Sequence, residues 1–129
     1  MHKLNPRTTA LLSAFGWAVG YLLAGKALAV LLPVPPGGAV RFFRVCLLAP
    51  LVEEGVFRGA VQGLLQPLGP RAAVCVQAAL FAVQHGGAAG IAYALVLGVL
   101  LGTIRQCTGR VWPGWVLHTL NNLLVFAAG

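Results

Sequence analysis

Acidic residues are almost absent from this chain, whose 129 residues include only two, Glu53 and Glu54, against nine lysines and arginines. Charged residues make up 9% of the sequence, whereas a water-soluble domain usually carries about 25%. The low charge excludes an ordinary soluble domain. The basic residues that give the net charge of +7 are dispersed around apolar runs, which favours contact with lipid phosphates and excludes a nucleic-acid partner.

Cysteines are also few. Cys46, Cys75 and Cys107 are odd in number and follow no CxxC or zinc-ribbon spacing. This pattern argues against a disulfide framework and a structural zinc site. Cys46 and Cys75 lie in apolar segments, where a cysteine usually serves as a small hydrophobic residue.

Apolar residues, by contrast, account for 59% of the chain, and the mean hydropathy is +0.87. Because a spanning helix needs roughly 20 apolar residues, the runs between proline- and glycine-rich breaks predict membrane helices. These runs cover residues 10–32, 40–65, 71–85, 88–104 and 111–128. The predicted fold is all-α: a single transmembrane domain over residues 1–129, built as a polytopic bundle of about five helices with short loops.

The orientation follows from the basic residues in the loops. With the N-terminus in the cytoplasm, five basic residues fall on the inner side and two on the outer side. The inner set is Lys3, Arg7, Arg71, Arg105 and Arg110, and the outer set is Arg41 and Arg44. The positive-inside rule therefore predicts a cytoplasmic N-terminus.

Strongly polar residues inside the predicted helices are rare, and they recur every four residues along three of the segments. They are Glu54, Arg58 and Gln62; Gln77 and His85, with Phe81 between them; and His118 and Asn122. Residues four apart share one helical face, and a polar group in hydrocarbon needs a partner or a cavity. We therefore expect the three stripes to face one another around a wet internal pocket.

The carboxylate pair has two interpretations. Arg58 stands four residues after Glu54, so the pair could be a structural ion pair. One arginine, however, leaves the second carboxylate without a partner, and Glu53 points about 100° away from Glu54. The spacing favours Glu54 as the partner of Arg58 and Glu53 as a general base.

A carboxylate with two imidazoles and a carboxamide can activate water. The carboxylate takes the proton, while the histidines and Asn122 fix the water and stabilise the oxyanion. Alternatively, Glu53, His85 and His118 could hold zinc, although no HExxH motif is present. No serine or cysteine lies beside a histidine in these stripes, which argues against a covalent nucleophile.

Each polar residue also has a structural alternative. His85 could cap the third helix, and His118 could lie at the membrane interface near Trp112 and Trp115. Asn121 and Asn122 could link helices by hydrogen bonds. Lys26 is expected to extend its amine to the interface.

The order of the motifs resembles the CPBP family of intramembrane proteases, which includes the CAAX prenyl endopeptidases and the bacteriocin self-immunity (Abi) proteins. The matching motifs are Glu53-Glu54-x-x-x-Arg58, Phe81-x-x-x-His85 and His118-x-x-x-Asn122. They lie in this order within residues 45–126, each in an apolar segment.

The resemblance implies an intramembrane endopeptidase of glutamic type, in which Glu53 activates water. His85, His118 and Asn122 would position the water and the oxyanion, and Glu54 and Arg58 would support them. No cofactor is expected, with zinc as the alternative.

Only one helix precedes the first motif, fewer than in the prenyl endopeptidases, so a second copy or a partner protein could close the bundle. The implied substrate is a membrane-anchored or C-terminally tailed protein, as for myxosortase-type sorting peptidases. The implied location is the bacterial inner membrane. The competing interpretations are a non-catalytic immunity or binding protein and a small proton-coupled transporter.

Overall fold

The computed structural model describes residues 4–129, and Lys3 of the predicted cytoplasmic set lies outside them. Five helices make up the described residues, as predicted. They are α1 (Pro6–Leu31), α2 (residues 38–64), α3 (Pro70–Ala82), α4 (Gly87–Thr108) and α5 (Trp112–Ala128). Each lies within a few residues of an apolar run in the sequence.

Helix α2 carries the carboxylate pair and is not a uniform α-helix. Two stretches of it are π-helical, Arg44–Leu48 and Glu54–Val61. Pro50 is fully buried and stands two residues after the end of the first π stretch. There its missing N–H is accommodated without a break in the helix.

Helix α3 is shorter than predicted. It begins at Pro70 after Gly69, whose φ is +98°, and it ends at Ala82, whereas the apolar pattern predicted a helix as far as His85. The amides of Gln84 and His85 bond back to Phe81 and Ala82, three residues earlier, so the chain tightens into a turn before Gly87, which has a φ of +71°. His85 therefore lies in this turn.

Two helices, Pro6–Leu31 and Gly87–Thr108, are long and apolar enough to cross a membrane. The 13 residues of α3 rise only about 20 Å, less than the hydrocarbon thickness of about 30 Å. The prediction of a helical bundle is therefore confirmed. Of the helices described, α1 and α4 have the length and composition needed to cross a membrane.

Unlike a typical soluble protein, this protein buries charged side chains and exposes many large apolar ones. Glu54 and Arg58 are fully buried, whereas large apolar side chains such as Val30 and Leu124 are 81% and 73% exposed. An apolar core lies between α1, α2 and α3. Its members include Ala14, Ala18, Phe57, Val61, Ala73 and Phe81. A protein with polar groups inside and an apolar surface is suited to a lipid environment.

Candidate active site

The two carboxylates lie at the point in α2 where an α-helical stretch ends and the second π stretch begins. Their surroundings differ. The side chain of Glu54 is completely buried, while that of Glu53 keeps 17% exposure. Adjacent residues of a helix point in different directions, so Glu54 enters the protein interior and Glu53 borders a pocket.

Glu54 is held by two groups from different helices. Its Oε1 lies 3.2 Å from Nη1 of Arg58 and 2.9 Å from Nδ1 of His118. Its Oε2 packs on Gly114 in the first turn of α5, where a Cβ atom would stand 2.8 Å away. The positive end of the α5 dipole therefore also faces this carboxylate. The predicted pairing of Glu54 with Arg58 is confirmed.

Arg58 is buried beneath an aromatic cluster centred on Phe81. The guanidinium carbon lies 4.4 Å from the centroid of the Phe81 ring, an arrangement that stabilises a cation away from water. The same ring has its centroid 4.7 Å from that of His85 and 5.8 Å from that of His118. Phe81 thus provides a common support for the arginine and both histidines.

His118 connects the two carboxylates. Its side chain is buried within the bundle, with only 2% exposure. A carboxylate paired with arginine can only accept, so Nδ1 of His118 must carry the hydrogen of the contact with Glu54. In the neutral ring Nε2 is then an acceptor, and it lies 3.6 Å from Oε2 of Glu53. Both atoms can therefore accept a hydrogen bond from the same water molecule.

A pocket of about 800 Å³, here called the main pocket, brings together the four residues for which the sequence predicted a catalytic role. Glu53, His85, His118 and Asn122 all line it, although they come from α2, the turn after α3, and α5. Apolar side chains such as Leu97 and Val125 complete its wall. The shared pocket expected from the polar stripes is therefore present in part. His85, His118 and Asn122 line it, whereas α2 contributes Glu53, which stands beside the stripe that begins at Glu54.

Asn122 is oriented from both sides. Its Oδ1 accepts from Asn121, which in turn accepts from the hydroxyl of Tyr93. Its Nδ2 donates to the carbonyl of Val45 at 2.9 Å. A carboxamide nitrogen has two hydrogens, so this arrangement leaves the second hydrogen for the main pocket. The predicted interhelical hydrogen bond of Asn121 is also present.

The carbonyl of Val45 is free because of Pro50. In the first π stretch the amide of Ala49 bonds to the carbonyl of Arg44, five residues earlier. The next bond of that pattern would join residue 50 to Val45, and Pro50 has no hydrogen to donate. The missing backbone bond is thus replaced by the side chain of Asn122.

His85 closes α3 and also lines the main pocket. Its Nδ1 lies 3.1 Å from the carbonyl of Phe81, which can only accept, so this nitrogen carries a hydrogen and Nε2 of the neutral ring is an acceptor. His85 and Glu53 also form part of the wall of a second pocket of about 520 Å³, here called the side pocket, with Lys26 and Gln84.

The residues that the sequence offered as zinc ligands share the main pocket. Within residues 4–129, however, no group of three or more His, Cys, Asp or Glu side chains lies close enough to hold a metal ion.

Four members of the polar stripes do not line the main pocket: Glu54 and Arg58, which form the buried ion pair, and the glutamines Gln62 and Gln77. Nε2 of Gln62 donates to the carbonyl of Gly102 at 2.9 Å, and Nε2 of Gln77 donates to that of Gly98 at 2.8 Å. Both glutamines are buried, and both attach a neighbouring helix to successive turns of α4. Their predicted place in the wet pocket is wrong because the carbonyls of α4 satisfy them first.

The sequence patterns missed Tyr21. Its hydroxyl donates to Oε1 of Glu53 at 2.9 Å, across a separation of 32 residues. The sequence contains only a weak indication of this role, because Tyr21 is a single phenol in an apolar helix, five residues before Lys26.

Comparison with protein families matches residues 35–124 to the family described as type II CAAX prenyl endopeptidase Rce1-like. The chain belongs to the Rce1-like family. Comparisons with curated proteins and with solved structures gave no significant match. The resemblance inferred from the motifs is thereby confirmed.

The Rce1-like family consists of membrane-integral hydrolases that act on peptide bonds. Its match includes every residue for which the sequence predicted a catalytic or supporting role. Helix α1, which contributes Tyr21, lies outside the matched residues.

Proposed function

We propose that this Rce1-like protein is an intramembrane endopeptidase of glutamic type that uses Glu53 to activate water and needs no resident metal. One observation carries the proposal: a partly exposed carboxylate shares the main pocket with His85, His118 and Asn122. Its neighbour Glu54 is sequestered with Arg58. Two identical side chains with such different surroundings are suited to different roles.

In the first step, Oε2 of Glu53 takes a proton from a water in the main pocket. Nε2 of His118, held by the contact of Nδ1 with Glu54, accepts the water's other hydrogen bond. Nε2 of His85 offers a further acceptor. The water oxygen then attacks the carbonyl carbon of the scissile peptide bond, and general base catalysis of this kind contributes about 10²–10⁴-fold in rate.

In the second step, the tetrahedral intermediate carries negative charge on the former carbonyl oxygen. The hydrogen of Asn122 Nδ2 that is not bonded to Val45 is the donor for this oxyanion. Glu53 returns its proton to the leaving amine as the C–N bond breaks. Glu54, Arg58 and Phe81 keep His118 in place throughout.

We further propose that the substrate is a membrane-anchored or C-terminally tailed protein, cut near that anchor, and that prenylated proteins are candidates because the family's description names them. The apolar wall of the main pocket and the apolar surface of the bundle support a substrate presented in the bilayer. We also propose that the five helices lie in a bacterial inner membrane, with the N-terminus in the cytoplasm. A second copy or a partner protein is proposed to close the short bundle.

The test compares the C-termini of membrane proteins, by mass spectrometry, in cells that express the wild type or Glu53→Gln. This substitution keeps the size of the side chain and removes the base. We expect new C-termini with the wild type only and equal amounts of both proteins. The cut sites would also identify the substrate.

A matched control is Cys75→Ser, a substitution on the exposed side of α3, which should give the wild-type set of termini. Identical termini with wild type and Glu53→Gln at equal expression would contradict the proteolytic role. That result would favour a non-catalytic binding role for the same scaffold.

A further inference from the structure

Helix α1, which precedes the residues matched to the family, contributes a hydrogen bond to the proposed base Glu53. Tyr21 lies on α1, whereas the matched residues begin at position 35. Its hydroxyl donates to Oε1 of Glu53 at 2.9 Å. A hydrogen bond to a charged carboxylate is roughly twice as strong as one between neutral groups. Helix α1 therefore adds an interaction to the site that the motifs do not include.

The phenol ring is fixed by packing. Its edge meets Phe57, with ring centroids 5.4 Å apart and planes inclined at 80°, and Phe57 is fully buried. Phe57 in turn packs against Phe81 at 5.3 Å, the ring that supports both histidines. The position of the Tyr21 hydroxyl is thus coupled to the same aromatic cluster as the rest of the site.

The two oxygens of Glu53 are engaged differently. Oε1 accepts from Tyr21, whereas Oε2 lies 3.6 Å from Nε2 of His118. Without a donor on Oε1, the carboxylate of this partly exposed side chain is free to rotate and to turn either oxygen toward either pocket. A fixed base raises the rate because the reacting atoms are already aligned.

We propose that Tyr21 is a positioning residue that holds Oε1 of Glu53, so that Oε2 faces the water and His118. The inference rests on the proposed function, since it assigns to Glu53 the role of base. Tyr21 itself touches neither the water nor the substrate in this role. Helix α1 thereby completes a catalytic site whose other residues all come from the matched part of the chain.

The first test uses the scarcity of acidic residues. Because the chain has only two glutamates and no aspartate, labelling glutamate with ¹³C at Cδ gives two side-chain carboxyl signals in an NMR spectrum of the detergent-solubilised protein. Glu53→Gln and Glu54→Gln each remove one signal and so assign both. We expect Tyr21→Phe, which keeps the ring and removes the hydroxyl, to shift the Glu53 signal and leave that of Glu54 in place.

The second test measures cleavage of a peptide spanning the cut site found in cells, or of a peptide with a prenylated cysteine three residues from its C-terminus. We expect Tyr21→Phe to lower kcat about 10-fold to 100-fold, the loss of one hydrogen bond to a charged group, with KM unchanged. Thr103→Val, which removes an exposed hydroxyl bonded within α4, should leave kcat at the wild-type value.

The outcomes separate this inference from the proposed function. An unmoved Glu53 signal in Tyr21→Phe, or a wild-type kcat, would overturn the role of Tyr21 while leaving Glu53 as the base. If the wild type cleaved neither peptide while the Glu53 signal still shifted, the proposed function would fail, and the positioning role with it.

Discussion

The two sides of α2 at the carboxylate pair differ in burial and in polar partners. On the closed side, Glu54 is fully buried, paired with Arg58 and packed on Gly114. On the open side, Glu53 borders the main pocket, and its polar contacts within residues 4–129 are with Tyr21 and His118. His118 contacts both carboxylates and so joins the two sides.

The comparison teaches that position in the fold, rather than residue type, separates the roles of the two glutamates. A buried carboxylate held in an ion pair contributes to stability and orientation, because removal of a partner leaves a charge in an apolar interior. A carboxylate at a pocket with few partners is available for chemistry. Substitutions on the closed side should therefore reduce the amount of folded protein, and substitutions on the open side should reduce the rate of cleavage.

The largest effect on the closed side is expected for Arg58→Ala. The substitution leaves Glu54 buried with His118 alone and removes the cation above Phe81, which should cost about 3–5 kcal/mol of folding free energy. Thermal unfolding of the purified protein in detergent measures this loss. Arg71→Ala, at an exposed position at the start of α3, is the control, and an equal unfolding temperature for the two variants would contradict the closed-side network.

On the open side, Asn122→Ala should act mainly on the rate. Loss of the proposed oxyanion donor is expected to lower kcat about 10²–10³-fold. The unfolding temperature should fall far less than in Arg58→Ala, because Val45 is exposed and its carbonyl can find another partner. Peptide cleavage and thermal unfolding of the same preparations check this, and a wild-type kcat would remove Asn122 from the mechanism.

A smaller effect is expected for Gly114→Ala. The added Cβ would stand 2.8 Å from Oε2 of Glu54, so the carboxylate must shift, and overpacking of this kind costs about 1–3 kcal/mol. Gly16→Ala is a matched control on α1, because nothing lies within 4 Å of its added Cβ. We expect a lower unfolding temperature for the first variant only. Equal unfolding temperatures for the two variants would contradict the close contact between Gly114 and Glu54.

Much of this arrangement could be predicted from the sequence. The apolar runs located all five helices, because proline and glycine clusters separate them. The recurrence of polar residues every four positions placed His118 and Asn122 together at the main pocket, because such residues share a helical face. It also led to the pairing of Glu54 with Arg58. These features depend on local spacing, which the sequence contains directly.

Other features depend on contacts between distant segments. Gln62 and Gln77 repeat like the catalytic residues, and only the approach of α4 directs them to its carbonyls. The π stretch before Pro50 gives Asn122 its partner at Val45, which a regular helical wheel does not predict. Tyr21 lies in an ordinary apolar helix, and only tertiary packing brings it to Glu53.

The most direct test of the central claim compares Glu53→Gln with Glu54→Gln in one experiment. The two substitutions are chemically identical and lie one residue apart, so only their surroundings differ. Cleavage of the peptide and thermal unfolding are measured for each purified protein. The account predicts that Glu53→Gln is folded like the wild type and inactive, and that Glu54→Gln has a clearly lower unfolding temperature. Full activity in Glu53→Gln, or equal stability of the two variants, would contradict it.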